Sequence, residues 1–282
     1  MPLSEILTAA LYILLGLIAA TYGTLIGAGG GFLLVPVLAL IDPTEKASAI
    51  TTLSLAVVAV NGLSGTFAYR RLRRIDYKTG LIMTAGVTPG SIIGTILTKY
   101  EPRGYFDLGF GIMMFLVALY LANPRRREAI PLEPRPGLMA RQVSDSSGRV
   151  FTYAFSPMQA FIISLGVGFI SALTGIGGGL VMVPAAITIL HIPLLVATAT
   201  STFMLLFSSL TSTITHLILG DFDFAILVRI VLISIGVLVG AQIGPRISGR
   251  IPQWAIVRLL TVGIAFIGVR LIISGIQILT AH

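Results

Sequence analysis

Two runs hold the residue types and spacing best suited to chemistry in this chain: Gly27-Ala-Gly-Gly-Gly-Phe-Leu-Leu-Val-Pro36 and Gly175-Ile-Gly-Gly-Gly-Leu-Val-Met-Val-Pro184. Each sets a glycine triplet, Gly29, Gly30 and Gly31 or Gly177, Gly178 and Gly179, in otherwise apolar sequence. Three adjacent glycines occupy every face of a helix, so packing along one face explains them poorly. Lacking a Cβ, such a stretch can unwind and restart at once as a new helix. The first N–H groups of that helix have no intrahelical partner and carry partial positive charge, which makes a helix start inside a membrane a ready anion site. Gly27 and Gly175 open the break. Pro36 and Pro184, five residues past the last glycine, free a further carbonyl each or kink the short helix.

Hydroxyl groups follow at matching places. Thr51 and Thr52 stand early in the apolar span after the first break, and Thr200 and Ser201 early in the span after the second. Turned inward, they could hydrogen-bond an oxyanion. The competing reading is that Ser and Thr in apolar helices bond their own i−4 carbonyl. Few charges fall within apolar runs: Asp107, which begins its span, Arg229, Arg258 and Arg270. Arg229 or Arg258 could partner an anion, because an intramembrane charge is a functional candidate by default; near a span end, either could equally snorkel to water. His216, matched by Tyr69 in the first half, is a candidate for proton coupling because its pKa lies near neutrality, or else an interfacial residue.

Other chemistries find no support. There is no cysteine, so thiolate metal sites and Cys-based redox chemistry are excluded. Histidines 191, 216 and 282 are far apart, no span holds paired carboxylates, and neither H-E-x-x-H nor G-x-S-x-G occurs. No enzyme, metal or cofactor is expected. In GAGGGF the third position of G-x-G-x-x-G is Phe32, in GIGGGL it is Leu180, and no Gly-Lys-Ser/Thr is present, which argues against nucleotide binding and ATP-driven work.

The elements that must position these residues are membrane helices. Of 282 residues, 55% are hydrophobic and only 11% charged, with a mean hydropathy of +0.97. Apolar stretches of about 20 residues recur, the length that crosses a hydrocarbon core. The alternation of barrel strands is absent, so the expected class is an all-α polytopic membrane protein with about 8–10 membrane helices. The first apolar run follows MPLSE, which lacks the basic segment of a signal peptide, and reads as a first membrane helix. Most of the net charge of +8 lies in two loops between apolar runs, the pattern of the positive-inside rule and not of nucleic-acid binding.

The motif repeats at an offset of 148 residues, and the likeness continues with small drifts through Ile75-Asp76-Tyr77 against Phe222-Asp223-Phe224 and Gly90-xxx-Gly94 against Gly236-xxx-Gly240. Two homologous repeats are therefore expected, residues 1–122 and 157–282, joined by a basic, Pro-rich linker, 123–156, that reads as a mobile loop. Each repeat opens with a glycine-broken run, about 6–41 and 158–190. Three spans follow each: near 47–69, 79–99 and 105–122, then near 194–219, 224–244 and 253–276. If the piece after each break is re-entrant, the halves are inverted. Charge favours this: Tyr69-RRLRRIDYK holds Arg70, Arg71, Arg73, Arg74 and Lys78, whereas its counterpart His216-LILGDFDF has two Asp and no cation. The Arg70–Lys78 loop and the linker are then cytoplasmic. The G-xxx-G pairs read as close helix packing.

The paired GAGGGFLLVPVL and TGIGGGLVMVPAAI motifs, each followed by a Thr/Ser-rich span and an Asp-containing turn, resemble the TauE/SafE family of sulfite and organosulfonate exporters. The resemblance covers nearly the whole chain apart from the linker. It implies transport, without ATP, of a small anion such as sulfite, a sulfonate or thiosulfate across a prokaryotic cytoplasmic membrane, with the implied site at Gly29–Gly31 and Gly177–Gly179. The expected function is thus a secondary transporter working by alternating access, whose partners are a small anionic substrate and membrane lipid. An anion channel of the same architecture and a non-transporting membrane scaffold are the alternatives.

Overall fold

The computed structural model describes residues 3–41, 47–98, 103–122 and 137–280. Both opening runs break where the glycines stand. Helix α1 (Leu3–Ile26) is followed by a short α2 (Gly31–Ile41), and α6 (Pro157–Thr174) by a short α7 (Gly179–Thr188). Between them lie α3 (Ala47–Arg71), α4 (Tyr77–Leu97) and α5 (Arg103–Ala122); after α7 come α8 (Leu194–Ile218), α9 (Phe224–Ser248) and α10 (Gln253–Thr280). Seven helices among the described residues are long and apolar enough to cross a membrane. Local signals set several boundaries. Asp76 caps α4 by accepting the N–H groups of Lys78 and Thr79, Asp223 caps α9 at Ala225, and Ser156 caps α6 with Pro157 in its first turn.

The helices pair in a pattern that survives exchange of the two halves. Helix α1 lies along α9 and α4 along α6; α3 crosses α8, and α5 packs on α10. Glycines set the close approaches. On α4, a Cβ at Gly86, Gly90 or Gly94 would collide with a backbone carbonyl of α6, at Phe161, Leu165 and Phe169 in turn. On α9, Gly236, Gly240 and Gly244 meet α1 at Ile13, Leu17 and Thr21 in the same way. The small-residue spacing therefore packs helices, as read from the sequence. Both of these pairs run parallel, because the contact points climb together. Helices α3 and α8 run antiparallel, since Gly62 meets Leu206 while Gly65 meets Thr202. These two are also the spans most enclosed by the rest of the chain.

The linker differs from the mobile loop expected of it. Residues 123–136 lie outside the described residues, but β1 (Met139–Ser144) and β2 (Val150–Phe155) form an antiparallel hairpin. Its turn is held by Asp145, whose carboxylate accepts the N–H groups of Ser147 (2.8 Å) and Arg149 (3.0 Å). Val143, Tyr153 and Phe155 are buried in one apolar cluster with Met83 and Val87 of α4 and Met182 of α7. Burial of that face, not the polar and basic composition around it, decides the segment's fold.

Candidate functional site

The two breaks lie against one another. In the first, Gly27, Gly29 and Gly30 take left-handed backbone angles (φ 75°, 82° and 78°), and the N–H groups of Ala28 and Gly29 turn back to the Gly23 carbonyl. In the second, Gly175 closes α6 with φ 70°, Gly177 has φ 81°, and Gly178 is right-handed at φ −60°. Gly31 and Gly179 are there for space: a Cβ on Gly31 would strike the Ile176 carbonyl, and one on Gly179 the Gly27 carbonyl. Each restarting helix thus presses on the other half's loop. No side chain caps α7. Pro184 is buried within α7. Pro36 lies within α2, and its side chain is outside the described residues.

Helices α3 and α8 cover the breaks. They correspond at an offset of 147, beginning at Ala47 and Leu194 and ending at Arg71 and Ile218. Thr51 therefore corresponds to Thr198 and Ser54 to Ser201, a register one residue away from that of the glycine motif. The contacts follow this register: Thr51 packs on Gly175, Thr198 on Gly27, Val58 over Gly177 and Leu205 over Gly29.

The four candidate hydroxyls separate in this register. Thr52 and Ser201 are fully buried, and neither side-chain oxygen has a hydrogen-bond partner among the described residues. A buried hydroxyl without a partner costs about 1–3 kcal/mol, so such groups call for an explanation. Thr51 meets Gly175 through its Cα, Cβ and methyl. Thr200 is drawn elsewhere, accepting the Asp76 N–H at 3.1 Å. Two polar residues outside those four, Asn61 and Ser54, also serve the breaks. Asn61, buried in mid-α3, donates from Nδ2 to the Gly29 carbonyl at 2.6 Å, and its Oδ1 has no partner among the described residues. Ser54 donates to the Gly175 carbonyl at 2.7 Å. A lone Asn in an apolar span was the available signal.

The charged candidates stand at the end of α8 and on α9 and α10. Arg258 is exposed on α10, with its guanidinium 4.8 Å from the Trp254 ring centre. Arg229 is half-buried on α9. His216 is buried at the end of α8, with Nδ1 2.9 Å from Asp221 Oδ2. The Asp107 side chain lies outside the described residues.

A charged network sits at the far end of α3, under the hairpin. Arg141 reaches Asp76 in a two-pronged contact (2.8 and 2.7 Å), the Tyr153 hydroxyl donates to the same carboxylate at 2.6 Å, and Thr79 donates at 2.9 Å. Burial by itself raises the Asp76 carboxyl, but the hydrogen bonds from Arg141, Tyr153 and Thr79 outweigh it and hold its pKa at about 2. Burial, and then the Asp76 carboxylate, push the Tyr153 hydroxyl well above its ordinary value. Arg74, also buried, lies 3.6 Å from Asp145 and donates to Ser248 at 3.1 Å.

Comparison with known proteins points to membrane transport. The family described as "Sulfite exporter TauE/SafE" matches residues 12–271. The "Probable membrane transporter protein YunE" of Bacillus subtilis (strain 168) is 36% identical over 271 residues, covering 94% of this chain and 97% of that protein. A second Bacillus subtilis protein, "Probable membrane transporter protein YdhB", is 24% identical over 228 residues, covering 81% of this chain and 85% of the relative. No solved structure matches the chain significantly.

Proposed function

This chain belongs to the sulfite exporter TauE/SafE family, and on that premise we propose that it carries sulfite, or a related small sulfur-containing anion or organosulfonate, by alternating access at the paired glycine breaks. It is a membrane transporter, as its relatives are named. The observation that carries the finer reading is the buried hydroxyls of Thr52 and Ser201, on the two helices that cover the breaks, whose oxygens have no hydrogen-bond partner among the described residues. Hydroxyl donors and the free N–H groups of helix starts suit a small oxyanion.

The pairing of elements supports a carrier. Because Val58 over Gly177 and Leu205 over Gly29 occupy corresponding places on antiparallel helices, releasing one and then the other exposes the centre to opposite sides in turn. We assign the Arg70–Lys78 loop and residues 123–156 to the cytoplasm by their excess of cations, which makes the halves inverted repeats. An inside-negative potential then favours export of an anion.

Proteoliposomes loaded with labelled sulfite test this reading. Flux should saturate and show counterflow, and Thr52→Val or Ser201→Ala should lower kcat/KM about tenfold or more, the loss expected of one or two hydrogen bonds to a charged ligand. These variants are preferable to Gly30→Val, because Gly30 has φ 78° and its Cβ would lie 2.6 Å from the Ala19 carbonyl, so that substitution attacks the fold. Unchanged transport in both hydroxyl variants would refute the site. Flux without saturation or counterflow would make the protein a channel.

A further inference from the structure

We propose a second anion site, separate from the glycine breaks: the pocket between the α3–α4 turn and the β-hairpin binds a phosphate-bearing ligand with two or more negative charges. The cavity holds about 380 Å³ and is lined by Arg70, Arg73, Asp76, Tyr77, Lys78 and Arg141, among others. Asp76 is already matched by Arg141. Arg70, Arg73 and Lys78 are exposed and form no ion pair among the described residues, so three cations from a turn and two helix ends face the pocket unopposed. Guanidinium forks suit phosphate oxygens, and several cations around one cavity suit a multiply charged group over a monoanion.

A second observation stands apart from the charge. Arg73 has φ 54°, a left-handed backbone that strains a non-glycine residue. The corresponding residue after α8 is Gly220, with φ 79°. Both turns close α3 or α8 with the same two backbone bonds: Arg73 N–H to the Arg70 carbonyl and Arg74 N–H to Tyr69, against Gly220 to Leu217 and Asp221 to His216. The fold therefore accepts glycine here without loss. An arginine at a position that glycine fills freely is kept for its side chain.

The pocket is distinct from the central site. Val58, which covers the breaks, and Arg70 lie twelve residues apart on α3, about 18 Å along the helix. The lining comes from α3, the turn, α4 and β1, so a bound anion ties the hairpin to the bundle. The Asp76 N–H bond to Thr200 continues from this turn to α8. These contacts make the ligand an effector of the hairpin, not the transported species.

The phosphate can come from a soluble metabolite or a lipid headgroup, and two probes separate them. Inorganic pyrophosphate is titrated against the purified full-length protein by calorimetry. In parallel, thermal unfolding is compared in nanodiscs of phosphatidylcholine alone and with anionic phosphatidylglycerol added. Arg73→Gly should weaken pyrophosphate binding about tenfold or more while unfolding at or above the wild-type temperature, so the loss cannot come from misfolding. Arg71→Gln removes the same charge from the neighbouring residue, whose guanidinium lies 4.5 Å from the Phe67 ring centre, and should bind as wild type does. Binding confined to the anionic nanodiscs, and lost in Arg73→Gly, assigns the site to a lipid headgroup. Equal weakening by Arg71→Gln and Arg73→Gly reduces the effect to diffuse charge and overturns the proposal. So does the absence of both responses, or pyrophosphate binding that depends on Ser201 and not on Arg73, which would leave a single central site.

Discussion

The turn after α3 and the turn after α8 solve one backbone problem with different chemistry. Each ends its helix on a left-handed residue and starts the next with an aspartate cap. In the first, Tyr69 is buried and donates to the Thr24 carbonyl at 2.6 Å, Arg74 and Asp76 are buried, and the hairpin lies over them. In the second, Gly220 replaces Arg73, His216 pairs with Asp221, and Asp223 stands exposed, its side chain making only the cap bond to Ala225 among the described residues. The paired helices keep the pattern of a twofold exchange, while one end of the bundle departs from it. Burial makes the difference: a carboxylate that only caps a helix tolerates water, whereas one enclosed under the hairpin needs Arg141, Tyr153 and Thr79 to remain charged.

The largest effect should come from removing the two aspartates separately. Asp76→Ala strands Arg141 and the Tyr153 hydroxyl and should cost about 3 kcal/mol or more; Asp223→Ala loses an exposed cap and should cost about 1 kcal/mol. Thermal unfolding of both variants in one detergent reads the ratio, and equal losses would dissolve the comparison. Acid provides a second measurement. Because the Asp76 pKa is depressed to about 2, its contribution is complete above the ordinary carboxylate range and disappears as pH falls from about 4 through about 2. A stability loss on the order of 2 kcal/mol across that window should be present in the wild type and absent from Asp76→Asn.

Exchanging the left-handed residues gives a smaller effect. Gly220→Arg should destabilise by about 1–2 kcal/mol, measured as a lowered Tm, because nothing there compensates the strain. Smallest is the contrast between corresponding hydroxyls at the breaks. Ser54→Ala gives up the bond to Gly175 and should cost about 1 kcal/mol, whereas Ser201→Ala removes a buried oxygen with no partner among the described residues and should leave Tm unchanged or raise it. A clear loss of Tm in Ser201→Ala would mean that this hydroxyl is structural.

Much of the helical layout was legible. Apolar runs placed the spans within a few residues, since the bilayer demands length and apolarity whatever the tertiary contacts. The glycine breaks were legible because an apolar run of about 35 residues cannot cross as one helix. The hairpin was not. Its alternating VFTYAF and its DSSG turn were present in the sequence, but proline and basic neighbours suggested a loop, and its apolar face has meaning only against Met83 and Val87. The hydroxyl register was missed: Thr51/Thr52 and Thr200/Ser201 stand 149 residues apart, whereas the offset changes from 148 at the glycines to 147 along α3 and α8. That shift falls between the break and the next helix, where no motif marks it.

By itself, the sequence determined a helical membrane protein with a repeated glycine motif and a family likeness, because hydropathy and backbone freedom are properties of local sequence. Only the tertiary structure decided which hydroxyls keep unused hydrogen-bonding capacity, that the two breaks touch, and that one of two matching turns is enclosed in charge. Each of these depends on what a distant segment brings within about 3 Å, the range over which hydrogen bonds form.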